Sequence, residues 1–296
     1  MIHQEEPLIS IIILNYNQLE ITCQFLESTK KLKYRNYEII LIDNASKINP
    51  EPVITKKYPE VRLIVNQDNL GSTGGNNQAA RLAKGEYLFI VNNDTEVTED
   101  ILNILLEAFN RSPDIGMVCP KIYFFDQPKM IQYAGYTKIN PYTGRNKAIG
   151  GKEIDNGQHD TPSYTEYAHG AAVLVKKEVI DAIGLYPEHF FIYYEELDWS
   201  ARAIKEGYKI YYEPKAKIYH KESVTMGKES PIKAYYHTRN RILFMKRNHK
   251  WNQFFIFSLF LFVAVIPKGI IKYISKGQFL HLKRFIRATF DGLISK

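Results

Sequence analysis

Three carboxylates stand among aromatic residues in the segment FFIYYEELDW, which runs from Phe190 to Trp199. They belong to Glu195, Glu196 and Asp198. Burial among aromatic rings raises the pKa of a carboxyl group and suits it to general-base catalysis. Residues 199–207 predict a helix that ends at glycine, so the acids stand at a helix N-terminus, where the dipole favours negative charge without any catalytic role. The segment is a candidate catalytic site, with an ordinary acidic first turn as the alternative.

Three further residues could bind a ligand. Asp94 directly follows an apolar run, and a carboxylate there can hold a divalent cation against a diphosphate, because Mg²⁺ and Mn²⁺ prefer oxygen ligands. An ordinary Asx turn is the alternative. Asp43 could accept hydrogen bonds from a nucleotide base or ribose, or only shape its turn. His220 ends a predicted strand and is either a ligand or a structural histidine.

The glycine-rich stretch NLGSTGGNN, residues 69–77, leads into a predicted helix. Such an arrangement can present backbone N–H groups to a phosphate. The stretch matches neither GxxxxGK[ST] nor GxGxxG, so it indicates neither a kinase-type nor a dinucleotide site. A plain turn is the alternative.

The order of predicted elements places these residues at one edge of a sheet. Apolar runs at 8–14, 37–42, 61–65 and 87–91 predict strands, and helices fall between or after them, including 76–83 and 99–110. This alternation indicates a mainly parallel sheet with helices on both faces, and ligands of such sheets bind beyond the C-terminal strand ends. The residues at those ends are polar: Asn15-Tyr16-Asn17, Asp43-Asn44-Ala45-Ser46, Asn66 and Asn92-Asn93-Asp94.

The second half of the chain is less regular. Residues 123–167 lose periodicity and are rich in Gly, Pro, Tyr and Asn, which predicts a loop-rich or hairpin insertion beside the site. Regular structure then resumes with a strand at 171–175, the carboxylate helix, a strand at 209–212 and a short strand ending at His220.

The net charge of +7 lies in the C-terminal tail. Residues 246–296 contain ten Lys and Arg and one acid, which leaves the preceding residues slightly acidic and argues against a nucleic-acid partner. The apolar run 254–266 would form a helix of about 20 Å, too short to cross a membrane, and Pro267 is expected to end it. Residues 279–293 predict an amphipathic helix with Lys283, Arg284 and Arg287 on its polar face. We expect this tail to lie on an anionic membrane, or alternatively to pack on protein.

Two further features bear on location. Cys23 and Cys119 show neither metal-ligand spacing nor a disulfide pattern, which favours a reducing compartment. The N-terminus has no basic region before its short apolar run, which argues against a signal peptide. The expected location is the cytoplasm, peripheral on the inner face of the cell membrane.

Taken together, the motifs resemble those of the family 2 inverting glycosyltransferases with the GT-A fold, in particular the rhamnosyltransferase-like branch. The resemblance covers roughly residues 7–245. The motifs that carry it, in order, are Asn15-Tyr16-Asn17, LIDNAS with Asp43, NLGSTGGNN, VNNDTEV around Asp94, HGAAVLVKKEV from His169, YYEELDW, and GYKIYYEPKAKIYH ending at His220.

The resemblance implies a GT-A catalytic domain over residues 1–245, and the charge and apolar pattern of residues 246–296 predict a helical, membrane-associating tail after it. Asp94 would occupy the last position of the family's Asp-x-Asp metal motif, whose first position here is Asn92, and His220 would complete a Mg²⁺ or Mn²⁺ site. Glu196 stands where the family usually has the aspartate general base, with Asp198 as the fallback. The residues expected to contact the nucleotide donor are Asn15, Tyr16, Asn17, Asp43, Asn69, Gly71, Gly75, Asn76, Asn92, Asn93 and Asp94.

The implied activity is transfer of a sugar, with inversion, from dTDP-rhamnose or a UDP-sugar to a glycan or lipid-linked acceptor in cell-surface polysaccharide synthesis. The expected partners are the donor, the acceptor, the membrane surface and possible further copies of the chain. Two alternatives stay open at this point. One is a nucleotide-sugar-binding scaffold without turnover, and the other is an NAD-dependent oxidoreductase, which the missing dinucleotide fingerprint disfavours.

Overall fold

The computed structural model describes residues 6–221 and 230–295. Its first half is built from four parallel strands in the order β3-β2-β1-β4, as the apolar runs predict. The strands are β1 (Ile9–Asn15), β2 (Tyr37–Asp43), β3 (Val61–Val65) and β4 (Tyr87–Val91). The helices between them are α1 (Leu19–Thr29), α2 (Glu51–Lys57) and α3 (Gly71–Leu82). Because β1 and β2 are buried almost throughout, helices can cover the sheet on both faces.

The sheet continues through the second half in the order β4-β9-β6-β10-β5, with β7 paired to β6 and β8 to β10. Strand β9 is antiparallel to both β4 and β6, whereas β6 and β10 pair in parallel. The strands are β5 (Thr95–Val97), β6 (Ile115–Phe124), β7 (Gln127–Tyr133), β8 (Ser163–Thr165), β9 (Ala172–Lys176) and β10 (Lys209–His220). The helices are α4 (Ile101–Ala108), α5 (Lys177–Ile183) and α6 (Glu195–Lys205).

The prediction of two separate strands between residues 209 and 220 is wrong, because β10 is one strand of 12 residues. Its pairing with β6 shifts register between Glu213 and Lys217. Pro214 lies in this interval and has no N–H to donate, so the ladder breaks there while the strand itself continues. The strand can therefore reach from the core to the sheet edge where His220 stands.

The insertion is fastened to the sheet by a buried ion pair. Lys121 of β6 is fully buried, and its Nζ lies 2.9 Å from Asp155 and 2.5 Å from Asp160. A buried ammonium needs such partners, because leaving it unpaired would cost several kcal/mol. The insertion is thus held beside the strand ends, as the sequence predicts.

Four helices form the C-terminal part of the structure: α7 (Pro231–Asn248), α8 (Trp251–Phe260), α9 (Ile266–Ser275) and α10 (Phe279–Ile294). A π-helical turn at Leu261–Val265 joins α8 and α9 into one 25-residue helix, Trp251–Ser275. The prediction that Pro267 ends the apolar helix is wrong, because the widened turn relieves the clash that a proline ring makes with the preceding carbonyl. By length and composition alone, this helix is long and apolar enough to cross a membrane, which corrects the expectation that it is too short.

These helices share a second hydrophobic core with the sheet-containing part of the chain. Ile139, Tyr167, Phe190 and Leu197 pack in it against residues of the C-terminal helices, which are Ile242, Leu243, Phe244, Met245, Phe257 and Leu261. Helix α7 also runs without a break across the boundary predicted after residue 245. The division into two domains stays a prediction, but the tail helices are packed on the sheet-containing part along α7.

Candidate active site

Asp94 and His220 meet at the edge of the sheet. The antiparallel pairing of β5 with β10 sets Thr95 opposite His220, which brings the neighbouring Asp94 beside the histidine. The His220 Nε2 lies 3.1 Å from the Asp94 Oδ1, and both side chains are buried. The prediction that these two residues lie together is therefore met by the geometry.

The pair has the chemistry of two metal ligands. Nδ1 of His220 lies 2.8 Å from the Gln132 Oε1, and in the tautomer in which Nδ1 donates to that oxygen, Nε2 presents a lone pair. The facing Asp94 Oδ1 lies 3.1 Å from that Nε2 and has no other partner within the described residues. A carboxylate oxygen and an imidazole nitrogen at this separation fit two ligands of one divalent cation. No cluster of three or more acidic, His or Cys ligands occurs in the described ranges, so substrate oxygens or water would fill the other positions.

Glu195 and Glu196 line the same cavity as this pair. The cavity has a volume of about 370 Å³, and its lining also includes Asn92, Gln132, Tyr136, His169 and Ser72. Burial raises the pKa of both glutamates, and the charge of Glu195 raises the pKa of Glu196 further. The Glu195 Oε2 is buried without a hydrogen-bond partner in the described part of the chain. Elevated pKa values in a cavity beside a candidate metal site are the usual setting of a general base.

Asp198 does not line this cavity. Its carboxylate is 1% exposed and accepts hydrogen bonds from Arg202 Nε (3.1 Å), Arg247 Nε (3.0 Å) and Asn248 Nδ2 (2.9 Å). Its carboxylate oxygens are thus engaged by two guanidinium groups and an amide, away from the cavity. The structure thus separates the two predicted bases. Glu196 lines the cavity, whereas Asp198 forms the polar contacts that join α6 to α7.

The turn before α6 is strained and is held from α7. Phe191, Tyr193 and Tyr194 all have positive φ, a conformation costly for residues with a side chain. The buried Asn240 Nδ2 lies 2.8–2.9 Å from the carbonyl oxygens of Phe190, Ile192 and Tyr193. The Asn240 side-chain amide therefore holds the backbone turn that positions Glu195 and Glu196.

Helix α7 also contributes Lys233 and His237 to the cavity, and sequence reasoning missed both. The ring of His237 stacks on Tyr193 with centroids 4.2 Å apart. Burial, and then the charges of Lys233 and Arg241, lower the pKa of His237 to about 4, so this imidazole is neutral at pH 7. The available signal was the spacing of Lys233, His237 and Arg241, which stand four residues apart on one helix face.

The residues predicted to bind the nucleotide occupy two different environments. The Asp43 carboxylate is fully buried and accepts hydrogen bonds from Asn15 Nδ2 (2.6 Å) and Ser46 Oγ (2.6 Å). Tyr16 and Asn17 instead line a separate cavity of about 450 Å³ next to Ile48. Asn15 and Asp43 therefore brace the strand ends, while Tyr16 and Asn17 stand where a ligand can reach them.

The glycine-rich stretch packs closely against the strained turn and the sheet. A Cβ on Gly71 would lie 2.5 Å from the Phe191 carbonyl oxygen, and one on Gly75 would lie 2.8 Å from Leu14. The Asn69 Oδ1 accepts a hydrogen bond from the Gly71 N–H, so α3 begins at Gly71 and not at the predicted residue 76. Of this stretch, Ser72 lines the central cavity.

Two asparagines in these predicted segments point to neighbours within the fold. The Asn76 Nδ2 lies 3.4 Å from Ser72 Oγ, one turn earlier on α3. The Asn93 Nδ2 donates to Thr22 Oγ1 on α1 at 2.8 Å. Asn92 lines the central cavity, so of the three residues at 92–94 the first and last reach it.

Comparison with known proteins identifies the family. A family model described as glycosyl transferase family 2 matches residues 10–173, more than half of the chain. The dTDP-rhamnosyl transferase RfbF of Shigella flexneri is 23% identical over 274 residues, covering 89% of this chain and 88% of that protein. The N-acetylglucosaminyl-diphospho-decaprenol L-rhamnosyltransferase of Mycobacterium tuberculosis is 23% identical over 249 residues, covering 76% and 80%. A third relative, protein y4gI of Sinorhizobium fredii, is 26% identical over 264 residues. The match covers 84% of this chain but only 28% of that protein's length.

A solved structure shows the same fold. The mannosyltransferase PcManGT from Pyrobaculum calidifontis, in complex with GDP-Man and Mn²⁺, has a TM-score of 0.63 to this chain at 14% identity. The match covers 99% of this chain and 89% of PcManGT. The GT-A fold predicted from the motifs is confirmed, and the chain belongs to glycosyl transferase family 2, with rhamnosyltransferases among its relatives.

Proposed function

We propose that the chain is a metal-dependent, inverting glycosyltransferase of cell-surface polysaccharide synthesis, which transfers a sugar from a nucleoside diphosphate to a glycan or lipid-linked acceptor. The observation that carries this proposal is one cavity lined by both the Asp94–His220 pair and Glu196. A leaving diphosphate and an attacking hydroxyl can be served together only when the cation site and the base face the same space. The names of the Shigella and Mycobacterium relatives support rhamnose, carried by dTDP, as the sugar transferred.

In this proposal, the two ends of the cavity have separate tasks. Asp94 and His220 would hold Mg²⁺ or Mn²⁺, which supplies positive charge to offset the diphosphate that departs. Glu196 takes the proton of the acceptor hydroxyl. At the same time the hydroxyl oxygen bonds to the anomeric carbon, and the bond from that carbon to the diphosphate oxygen breaks. Because the hydroxyl attacks from the face opposite the leaving group, the anomeric configuration inverts. The proton ends on Glu196 and the electron pair on the nucleoside diphosphate.

The remaining predicted nucleotide contacts follow from this placement. Tyr16 and Asn17 line the cavity at the end of β1 and would contact the nucleoside. Asn15 and Asp43 are hydrogen-bonded to each other and do not line that cavity. Contact of Asp43 with the base therefore stays a prediction. Asn69, Gly71, Gly75 and Asn76 would act by seating the strained turn, and Asn92 by lining the metal end.

Membrane attachment is the second part of the proposal. The C-terminal helices expose an unusual number of large apolar side chains, namely Trp251, Phe255, Ile256, Leu259, Phe262, Val263, Ile271, Ile274, Phe279, Leu280, Ile286, Phe290 and Ile294. Such a surface, combined with the basic charge of the tail, suits the cytoplasmic face of an anionic membrane. Helix α9 packs closely on α10, since a Cβ on Gly269 would lie 2.7 Å from the Phe285 ring. This close packing favours helices that lie together on the membrane surface. Self-association through the same face is the alternative.

A donor screen tests the proposed activity. Thermal unfolding is measured with dTDP-rhamnose, UDP-glucose, UDP-N-acetylglucosamine and GDP-mannose, each with and without Mn²⁺, since a ligand at 100 times its Kd stabilises by about 2.7 kcal/mol. We expect one donor to raise Tm only with Mn²⁺ and to be consumed when acceptor is added. A donor that binds but is neither transferred nor hydrolysed would instead identify a nucleotide-sugar-binding scaffold.

A further inference from the structure

A second cavity, of about 510 Å³, lies beside the active site between α7, the α8–α9 helix and α10. His237 lines both this cavity and the catalytic one. A smaller cavity of about 200 Å³ lies between them and shares Lys233 with the catalytic cavity and Lys272 with the second. A ligand in the second cavity can therefore extend along α7 to Glu196.

The second cavity is strongly basic. Its lining includes four cationic side chains, Arg145, Arg241, Lys268 and Lys272, and contains no Asp or Glu. No ion pair among the described residues involves any of the four. Cations from the insertion, from α7 and from α9 are thus gathered at one place without the anion that would offset their repulsion.

Arg241 is the best evidence that the cavity is built for an anion. Its Nε is buried and has no hydrogen-bond partner within the ranges that the structure describes. The guanidinium lies 5.9 Å from the Phe257 ring, and burial and the nearby Arg145 both lower its pKa. A buried N–H donor left unpaired destabilises the protein, and a bound acceptor oxygen would supply the missing partner.

The other side of the cavity is apolar. Phe260, Ala264, Val265 and Phe285 line it, and the neighbouring Phe262 and Val263 belong to the exposed apolar surface of the tail. Gly144 packs closely on Phe257, and the Arg145 guanidinium lies 5.6 Å from the Phe260 ring, so the insertion closes this wall. A ligand that matches both sides has a multiply charged anion joined to a long apolar chain.

We propose that this cavity binds the diphosphate of a lipid-linked acceptor, with the lipid chain on the apolar surface of α8–α9 and the acceptor sugar directed past His237 to Glu196. This inference rests on the proposed transferase function and adds the acceptor class and its site. Charge complementarity selects a diphosphate, because two phosphate groups can engage the four cations at once. His237, which is neutral at pH 7, and Lys233 line the junction that the sugar would pass.

The first test measures binding without turnover. Farnesyl diphosphate is the probe, used with EDTA so that the Asp94–His220 pair cannot hold it through a cation, and farnesol and inorganic diphosphate are compared with it. We expect wild type to bind farnesyl diphosphate more tightly than either fragment, and Arg241→Gln to bind it at least ~10-fold more weakly. The matched control is Lys276→Gln, which removes an exposed charge directly after α9 and outside the cavity and should bind like wild type.

Three outcomes overturn the proposal: unchanged binding in Arg241→Gln, an equal loss in Lys276→Gln, or equal binding of farnesol and farnesyl diphosphate. If Arg241→Gln does not fold, the double variant Lys268→Gln/Lys272→Gln replaces it, since both side chains are exposed. Liposomes with and without phosphatidylglycerol separate the lipid source. A loss of vesicle binding in the cavity variants without any loss of farnesyl diphosphate binding would assign the cavity to membrane headgroups and also overturn it.

A second test separates this inference from the proposed function. Transfer is measured to a sugar diphosphate carrying a prenyl chain and to a soluble glycoside of the same sugar. We expect the cavity variants to raise KM for the lipid acceptor at least ~10-fold and to leave the glycoside rate and donor binding unchanged. An equal loss with both acceptors would contradict the acceptor site, whereas wild type that transfers to neither would contradict the proposed function and leave the binding result to decide the inference.

Discussion

The ends of β1 and β2 and the walls of the cavities use polar residues differently. At the strand ends, the hydrogen-bonding groups of Asn15 and Asp43 bond to each other, to Ser46 and to Thr22. In the cavity walls, Asp94, Glu195 and Arg241 each have a buried polar atom without a partner among the described residues. Since an unpartnered buried group costs about 1–3 kcal/mol, it persists where a ligand supplies the missing partner. In the proposed function, Asn15 and Asp43 support the site, whereas Asp94, Glu195 and Arg241 act in it.

Asp94→Asn removes the one carboxylate of the proposed cation site and is expected to have the largest effect. We expect kcat with Mn²⁺ to fall at least ~10³-fold, because the diphosphate loses its compensating charge. His220→Ala should act in the same direction but less completely. The measurement is the initial transfer rate over a range of Mn²⁺ concentrations, and near-normal turnover with unchanged metal dependence in Asp94→Asn would remove the metal assignment.

Glu196→Gln and Asp198→Asn make a matched pair, because each replaces one acid of α6 by its amide. We expect Glu196→Gln to lose at least ~10²-fold in kcat while donor binding is kept, since the amide cannot take a proton. Asp198→Asn should instead lower the free energy of unfolding by about 3 kcal/mol, because it leaves Arg202 and Arg247 without their charge partner. A larger kcat loss in Asp198→Asn, at full stability, would move the base to that residue.

The pH dependence should show opposite trends in activity and stability. The raised pKa of Glu196 means that kcat/KM increases with pH as the carboxyl ionises, above the ordinary value of 4.5. A group whose pKa is raised by folding contributes stability at low pH and loses it as pH rises through the folded pKa, so stability declines over the same range. Glu196→Gln should flatten that decline in thermal unfolding, and an identical pH profile of Tm in wild type and variant would contradict the burial of an ionising Glu196.

Asn240→Ala tests whether α7 positions the glutamates. The substitution leaves three backbone carbonyls of the strained turn without their donor, and we expect kcat to fall about 10-fold and stability by about 1–3 kcal/mol. His189→Ala serves as a control, because its side chain lies near the same turn outside the catalytic cavity. Full activity of Asn240→Ala, measured well below its Tm, would mean that the turn holds its conformation unaided.

Local sequence pattern was sufficient for the parallel half of the fold and for the segments that carry Asp94 and Glu196. Apolar runs mark buried strands, and polar residues after them mark the sheet edge. The local pattern does not predict contacts between residues far apart in the sequence, such as the hydrogen bond from Asn240 to the Phe190 carbonyl oxygen, 50 residues away. The pattern predicts two strands around Pro214 and an end of the helix at Pro267, because a register shift and a π turn that absorb a proline depend on the partner strand and on helix packing. In the sequence, the basic face of α7 is indicated only by the four-residue spacing of Lys233, His237 and Arg241. The cavity that this face lines forms only when the tail helices pack back against α7.

Calorimetric titration of dTDP, with and without Mn²⁺, tests most directly that the Asp94–His220 pair and Glu196 form one transfer site. Wild type and Glu196→Gln should both bind dTDP at least ~10-fold more tightly when Mn²⁺ is present, whereas Asp94→Asn should show no such gain. UDP is titrated in parallel, so that a preference for the other nucleotide is seen in the same experiment. If neither nucleotide gains affinity from Mn²⁺ in wild type, or if Asp94→Asn gains as much as wild type, the pair is not a metal site and the account of transfer given above is wrong.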